Sequence, residues 1–414
     1  MKKIRIGVFG VKRGSAFFDA ILQCNGDLVA ICDSDPVAME EAKKKVSDSV
    51  VTYDNFEDFF HHPMDAVFLA NYFNEHAQYA IRYLEKGVHV LSECTAGATM
   101  ADCVALVRAA EKSTAKYMLA ENYPFMKFNR EVKRICDGGT LGRILYAEGE
   151  YNHPVSGADT GFFKSAYPFV NHWRNYLPAA YYITHSLAPL MYATGANPRR
   201  VTAMPVYGPR DEANFPASGK HCSDCAAIIT TINDDKSVFK FTGCAAFGAH
   251  SNSYRVCGEK GQIENLRGHG FKVMLRYNKW HVPEGMQTEN FYEPEWHHPK
   301  EEFIQKSGHG GGDFQVIDEF FNSILEDKKP PFDVYFATRM SAVAILAHRS
   351  LMEEGVPYDV PDFRKEEDRV KWENDRETPF YDTFGGTPTV SASSDPSYHP
   401  TEEQISAYKK IIER

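Results

Sequence analysis

Residues 4 to 15 read Ile4-Arg5-Ile6-Gly7-Val8-Phe9-Gly10-Val11-Lys12-Arg13-Gly14-Ser15, an apolar strand that runs straight into a glycine-spaced turn. A strand, a glycine turn and a helix start, in that order, open a dinucleotide-binding βαβ unit. Gly10 can make the tight turn and Gly14 can let the helix approach the sheet, but Lys12 stands where the G-x-G-x-x-G fingerprint has its middle glycine. A loop so altered does not decide the fold alone. The deciding partner is Asp33, 23 residues beyond Gly10 at the end of the next apolar run, where a carboxylate accepts the adenosine ribose hydroxyls. Asp33 would repel a 2′-phosphate and is followed by Ser34, not arginine, so NAD is expected in preference to NADP. Gly10, Lys12, Arg13, Gly14 and Asp33 are the candidate cofactor residues of this unit, with Lys12 either neutralising the pyrophosphate or standing as a solvated loop charge.

Outward from this stretch, strand-like runs recur at Leu28 to Cys32, Ala66 to Ala70, Val88 to Leu91 and Tyr117 to Ala120, with helix-period segments between most of them. That alternation predicts a doubly wound parallel sheet. Beyond about residue 125 the pattern becomes strand-rich, at Ile144 to Tyr151, Val201 to Tyr207, Ala226 to Ile232, Val238 to Ala245 and Tyr254 to Gly258, separated by turn residues. A large, mostly antiparallel sheet is expected there, with helices returning at Phe314 to Glu326 and Thr338 to Glu354. The fold class is therefore α/β: a Rossmann domain over 1–124, an α+β domain over 125–363 and a surface-wrapping tail over 364–414.

Composition narrows the function. A net charge of -10 over 414 residues argues against a nucleic-acid partner, which would need a basic face. The chain enters its first strand without a long apolar leader and holds no segment fit to span a bilayer, so a soluble, cytoplasmic protein is expected. Its nine cysteines are an odd set scattered through apolar segments, which suits reduced thiols. Cys222 and Cys225 form a lone CxxC beside His221, and no second ligand pair accompanies them, so no metal is expected. The pair His297-His298 reads as exposed loop.

The chemistry concentrates at Tyr181-Tyr182-Ile183-Thr184-His185-Ser186-Leu187-Ala188-Pro189. Tyr182 and His185 are three residues apart, a spacing that on a helix sets a phenol and an imidazole on one face. Two proton-transfer groups aimed at one spot beside a nicotinamide would serve an alcohol oxidation.

An ordered set of segments now resembles a family. Ile6-Gly7-Val8-Phe9-Gly10, Ala30-Ile31-Cys32-Asp33, Asn74-Glu75-His76-Ala77, Gly87 to Glu93 and Ala120-Glu121-Asn122-Tyr123 match, in order, landmarks of the Gfo/Idh/MocA oxidoreductases. The resemblance implies a Rossmann domain, a C-terminal sheet whose far face makes a homo-oligomer contact, and a sugar-like small-molecule substrate between the domains. It adds Asn71, Asn74, His76, Glu93, Cys94 and Asn122 to the cofactor-binding residues. One departure stands out: dehydrogenases of the family carry Glu-Lys-Pro where this chain has Glu93-Cys94-Thr95, and a cysteine has no fixed charge with which to polarise an alcohol. The run from Tyr182 to Pro189, with His172-Trp173-Arg174 and Gly308-His309 to Asp313, is similar to the NAD-dependent glycoside hydrolase branch typified by α-N-acetylgalactosaminidases, which also lacks that lysine. What this implies is C3 oxidation of a sugar, elimination of the aglycone, water addition and re-reduction. Under that reading Tyr182, His185 and Tyr123 are catalytic, while His153, Trp173, Arg174, His309 and Asp313 bind substrate or position water. A net sugar or cyclitol dehydrogenase and a non-catalytic NAD sensor are the alternatives.

Overall fold

The structure, a computed structural model, describes residues 3–157 and 159–413. It divides into two compact units, the first built from residues 1–130, 295–341 and 362–375 and the second from 131–294, 342–361 and 376–414.

The first unit carries a six-stranded parallel sheet in the order β3-β2-β1-β4-β5-β6, formed by β1 (Ile4–Phe9), β2 (Gly26–Cys32), β3 (Val51–Tyr53), β4 (Ala66–Leu69), β5 (His89–Ser92) and β6 (Tyr117–Leu119). All four residues of β4 are buried, as expected of a parallel strand covered on both faces. The helix Met100–Lys112 starts on a capping box in which Thr99 and Asp102 each take the other's backbone N–H. Asp35 caps Pro36–Lys43 by accepting from the Val37 and Ala38 amides. The helices His76–Glu85 and Met100–Lys112 fall between strands, where helix-period segments are expected. β3 was not expected, because its three residues are largely exposed and offer no alternation to read.

The second unit is a nine-stranded sheet, β14-β13-β12-β11-β7-β10-β9-β8-β15, formed by β7 (Ile144–Asn152), β8 (Pro198–Tyr207), β9 (Asp224–Asn233), β10 (Val238–Ala245), β11 (Ser251–Gly258), β12 (Gly261–Asn265), β13 (Val273–Tyr277), β14 (Glu289–Tyr292) and β15 (Tyr358–Asp359). Only β7 and β10 pair in parallel; the other neighbours are antiparallel. The helix Thr184–Thr194 is buried along its first eight residues, and Ser186 Oγ docks it by donating to the Thr242 carbonyl of β10. From β11, Tyr254 Oη donates to the His185 carbonyl at 2.5 Å.

Two expectations about organisation need correction. The chain does not divide into three consecutive parts, because the helix Gly312–Leu325 belongs to the first unit. Phe314, Phe320 and Phe321 of that helix are core residues, and local sequence pattern reveals such a helix without revealing which sheet it covers. The tail does more than wrap a surface. Arg369 is buried and pairs with Glu111, while Tyr408 is fully buried and donates to the Tyr167 carbonyl at 2.7 Å. No described helix is long and apolar enough to cross a membrane.

Candidate active site

In the first unit the turn after β1 is made by Gly10, whose φ of 91° suits glycine. A Cβ there would collide with the Ala70 carbonyl. Asp33 sits just past β2 and is fastened from two sides: its carboxylate accepts the Val11 N–H at 2.8 Å and the Asp35 N–H at 2.9 Å. Burial holds its carboxyl above the ordinary carboxylate range. A cleft of about 420 Å³ lined by Asp33, Ser34, Met39, Tyr53 and Asp54 adjoins it. Lys12 is exposed.

Arg13 turns inward from the loop. Its Nε donates to Glu93 at 2.7 Å, and its two terminal nitrogens reach Asp313 at 3.1 and 3.3 Å. Both carboxylates push the guanidinium pKa up, against the opposing effect of burial. Cys94 is buried, its Sγ 3.6 Å from Glu93 and 4.0 Å from Glu121. Asn122 and His309 complete the cluster by donating to Asp313 at 2.7 and 3.0 Å. The His309 ring lies 5.9 Å from that of Tyr123. These residues fall within one unit although His309 and Asp313 were assigned to substrate, and that grouping was hidden by nearly 200 intervening residues.

NAD fits this donor set. The Asn71 amide has both polar atoms buried without a partner, as are His76 Nε2 and Asn122 Oδ1. Each such atom costs on the order of 1 to 3 kcal/mol unless something pairs with it, and a nicotinamide carboxamide and ribose hydroxyls are of the right kind. His76 Nδ1 donates to the Thr95 carbonyl at 3.1 Å, and burial pulls its pKa down to about 4, so the ring is neutral with Nε2 an acceptor. Asn74 is buried in the same stretch.

In the second unit the expected pair is in contact: Tyr182 Oη and His185 Nε2 are 2.9 Å apart. The helix expected to carry both begins only at Thr184, so Tyr182 precedes it, yet the approach survives the change of backbone. Tyr151 packs edge-on against His185 at 4.9 Å and stands near His153, which itself packs against His250 at 4.9 Å. Burial, then the neighbouring His250, Arg174 and His185, lower the His153 pKa. The Arg174 guanidinium lies over the Trp173 ring, 4.3 Å from its centroid. Tyr151 was not among the expected site residues, although it stands near the end of β7 two residues before His153. His250 lies in a loop and gave no signal. Among the described residues no group of three or more His, Cys, Asp or Glu is placed to hold a metal ion, and His221 instead stacks on Tyr176 at 4.5 Å.

Residues 4–121 match the oxidoreductase family with an NAD-binding Rossmann fold, Gfo/Idh/MocA, and residues 220–374 match the C-terminal domain of glycosyl hydrolase 109. The N-terminal part of the chain thus matches a Gfo/Idh/MocA NAD-binding domain, and a later segment matches the glycosyl hydrolase 109 C-terminal domain. The chain is 25% identical over 402 residues, 90% of this chain and 79% of the other, to a glycosyl hydrolase family 109 protein of Streptomyces niveus. It is 22% identical to an alpha-N-acetylgalactosaminidase of Shewanella oneidensis, covering 90% of this chain and 87% of that one. Among solved structures, a levoglucosan dehydrogenase in complex with NADH and L-sorbose superposes with a TM-score of 0.72 at 16% identity, over 87% of this chain and all of the other. The myo-inositol 2-dehydrogenase of Lactobacillus plantarum gives 0.65 at 17% identity, over 87% of this chain and 100% of that one. At such identities the likeness is one of fold.

Proposed function

We propose that this enzyme cleaves a glycoside by a redox-neutral route in which the sugar is oxidised at C3, loses its aglycone by elimination, takes up water and is reduced again. The observation that carries the reading is the 2.9 Å contact between Tyr182 and His185. NAD, when bound, supplies an acceptor for the C3 hydride and later returns it.

The pair works as one proton carrier. Tyr182 takes the C3 hydroxyl proton as its own passes to His185 Nε2, and His185 then delivers a proton to the departing oxygen. A C3 ketone acidifies the C2 proton, so the bond to the aglycone breaks without two carboxylates flanking it. Tyr254, bonded to the His185 carbonyl, holds the imidazole's backbone in place. Cys94 supports a route without the family's lysine, since no ammonium is present there to serve a net dehydrogenase. The resemblance to α-N-acetylgalactosaminidase motifs and the glycosyl hydrolase 109 relatives support a pyranoside substrate.

A panel of nitrophenyl glycosides in deuterated water tests this. Nitrophenol release that needs NAD but yields no net NADH, with deuterium at C2 of the freed sugar, is the expected result. Stoichiometric NADH with an intact glycosidic bond would establish the dehydrogenase alternative, and NAD binding with neither activity across a broad panel would favour the sensor.

A further inference from the structure

Between Ala166 and the helix Thr184–Thr194 the one regular element among the described residues is the 3₁₀ turn Trp173–Asn175, which carries Trp173 and Arg174. A stretch so irregular needs donors from elsewhere for its buried carbonyls. They come from the far end of the second unit. Tyr408, on the helix Glu402–Ile412, is fully buried, and its Oη donates to the Tyr167 carbonyl at 2.7 Å, with the Phe169 carbonyl 3.1 Å away. The same Oη accepts from Asn175 Nδ2 at 3.1 Å, and that amide also donates to the Val170 carbonyl at 2.9 Å. One hydroxyl thus ties together both ends of the segment 167–175. Gly219 makes room for it: a Cβ there would lie 2.6 Å from the Tyr408 ring and 3.1 Å from Asn175 Nδ2. Tyr167, Ala217 and Tyr408 form a small apolar cluster flanked by Val170, Phe215 and Ile411. A phenylalanine would fill the same space, so the contribution of the hydroxyl lies in the loop it fastens. The helix holds a second loop by a separate hook, since Gln404 Nε2 donates to the Arg210 and Phe215 carbonyls at 2.8 and 2.9 Å.

We propose that Tyr408 is a positioning residue for substrate binding: through this hydroxyl the C-terminal helix sets the orientation of the Trp173 ring and of the Arg174 guanidinium that lies over it, and with them the affinity for the sugar. The inference rests on the glycosidase reading above and on the expected contact of Trp173 and Arg174 with substrate. Tyr182 and His185 follow this segment, and the helix that carries His185 is docked separately through Ser186 and Tyr254. Loosening the turn should therefore weaken binding without slowing the chemistry of substrate already bound.

The experiment compares the NAD-loaded full chain with Tyr408→Phe and Gln404→Met. Hydrogen exchange followed by mass spectrometry should find the amides of 167–176 exchanging about tenfold or more faster in Tyr408→Phe, and near the wild-type rate in Gln404→Met. With a nitrophenyl glycoside that the wild type hydrolyses, Tyr408→Phe should raise KM by about tenfold while kcat stays within about twofold, and Gln404→Met should leave both near wild type. An unchanged KM in Tyr408→Phe, a KM raised equally by both variants, or a fall in kcat alone would overturn the proposal. Should Tyr408→Phe fail to fold, Asn175→Ala removes the amide that joins Tyr408 to the turn and is expected to move the same two readouts; a wild-type KM there overturns the proposal as well. A wild type that hydrolyses no glycoside is a failure of the underlying reading, and unchanged exchange in Tyr408→Phe would then still remove Tyr408 from the turn.

Discussion

Tyr182 Oη approaches His185 Nε2 to 2.9 Å although only His185 lies on a helix. Tyr182→Phe keeps the ring against Tyr151 and removes the shared proton. We expect turnover to fall by about a hundredfold or more, with NAD affinity unchanged because the cofactor residues lie in the other unit. Steady-state rates and cofactor titration check both halves. Turnover near that of the wild type would return the pair to a packing role.

Asp33 should make the enzyme selective for NAD. A 2′-phosphate placed against a carboxylate already half-desolvated by its surroundings meets a like charge without a counterion, and a discrimination of about a hundredfold or more is expected. Calorimetric titration with NAD and NADP measures it, and Asp33→Asn should narrow the gap. Equal affinities in the wild type would remove Asp33 from the ribose site.

Gly10→Ala should damage cofactor binding before it damages anything else. An alanine at a φ of 91° is strained, and its Cβ would run into the Ala70 carbonyl, so the turn must shift. The expected outcome is an NAD dissociation constant raised by roughly tenfold or more, with a loss of about 1 to 3 kcal/mol in stability. Denaturant unfolding and NAD titration on one preparation separate the two effects.

His348 predicts a pH dependence of folding. It is fully buried, bonded through Nε2 to the Ser391 carbonyl, and burial pulls its pKa down to about 4. The unfolded chain binds a proton near pH 6.5 that the folded chain refuses, so stability is fully present above that pH and is lost as pH falls toward 4. The loss should be on the order of 1 to 3 kcal/mol for this residue, and His348→Gln should flatten the melting temperature between about pH 7 and pH 5 relative to the wild type. Equal slopes for the two proteins would assign the acid sensitivity elsewhere.

The parallel sheet was legible because five of its six strands carry apolar runs separated by helix-period segments. β12, β13 and β14 were passed over, since strands of four or five residues that are partly exposed do not differ from loop in a local window. The Tyr182 and His185 contact was readable from spacing, although the helix supposed to create it starts too late. The clustering of His309 and Asp313 with Arg13 and Asn122 was not readable, because these residues are remote from one another in sequence.

The interleaving of the two units has a consequence for biosynthesis. A nascent chain that has emerged only as far as residue 130 holds all six strands of the first sheet, but lacks Phe314, Phe320 and Phe321, which the structure buries in that unit. It also lacks Asp313, leaving Arg13 without its second carboxylate. The nucleotide-binding unit therefore matures late in translation, not as an early domain, and until then its apolar strands are open to chaperones and to one another. Fragments cut at the sheet's last strand would inherit that exposure permanently, so a usable excision of the unit has to bring its distant helices along.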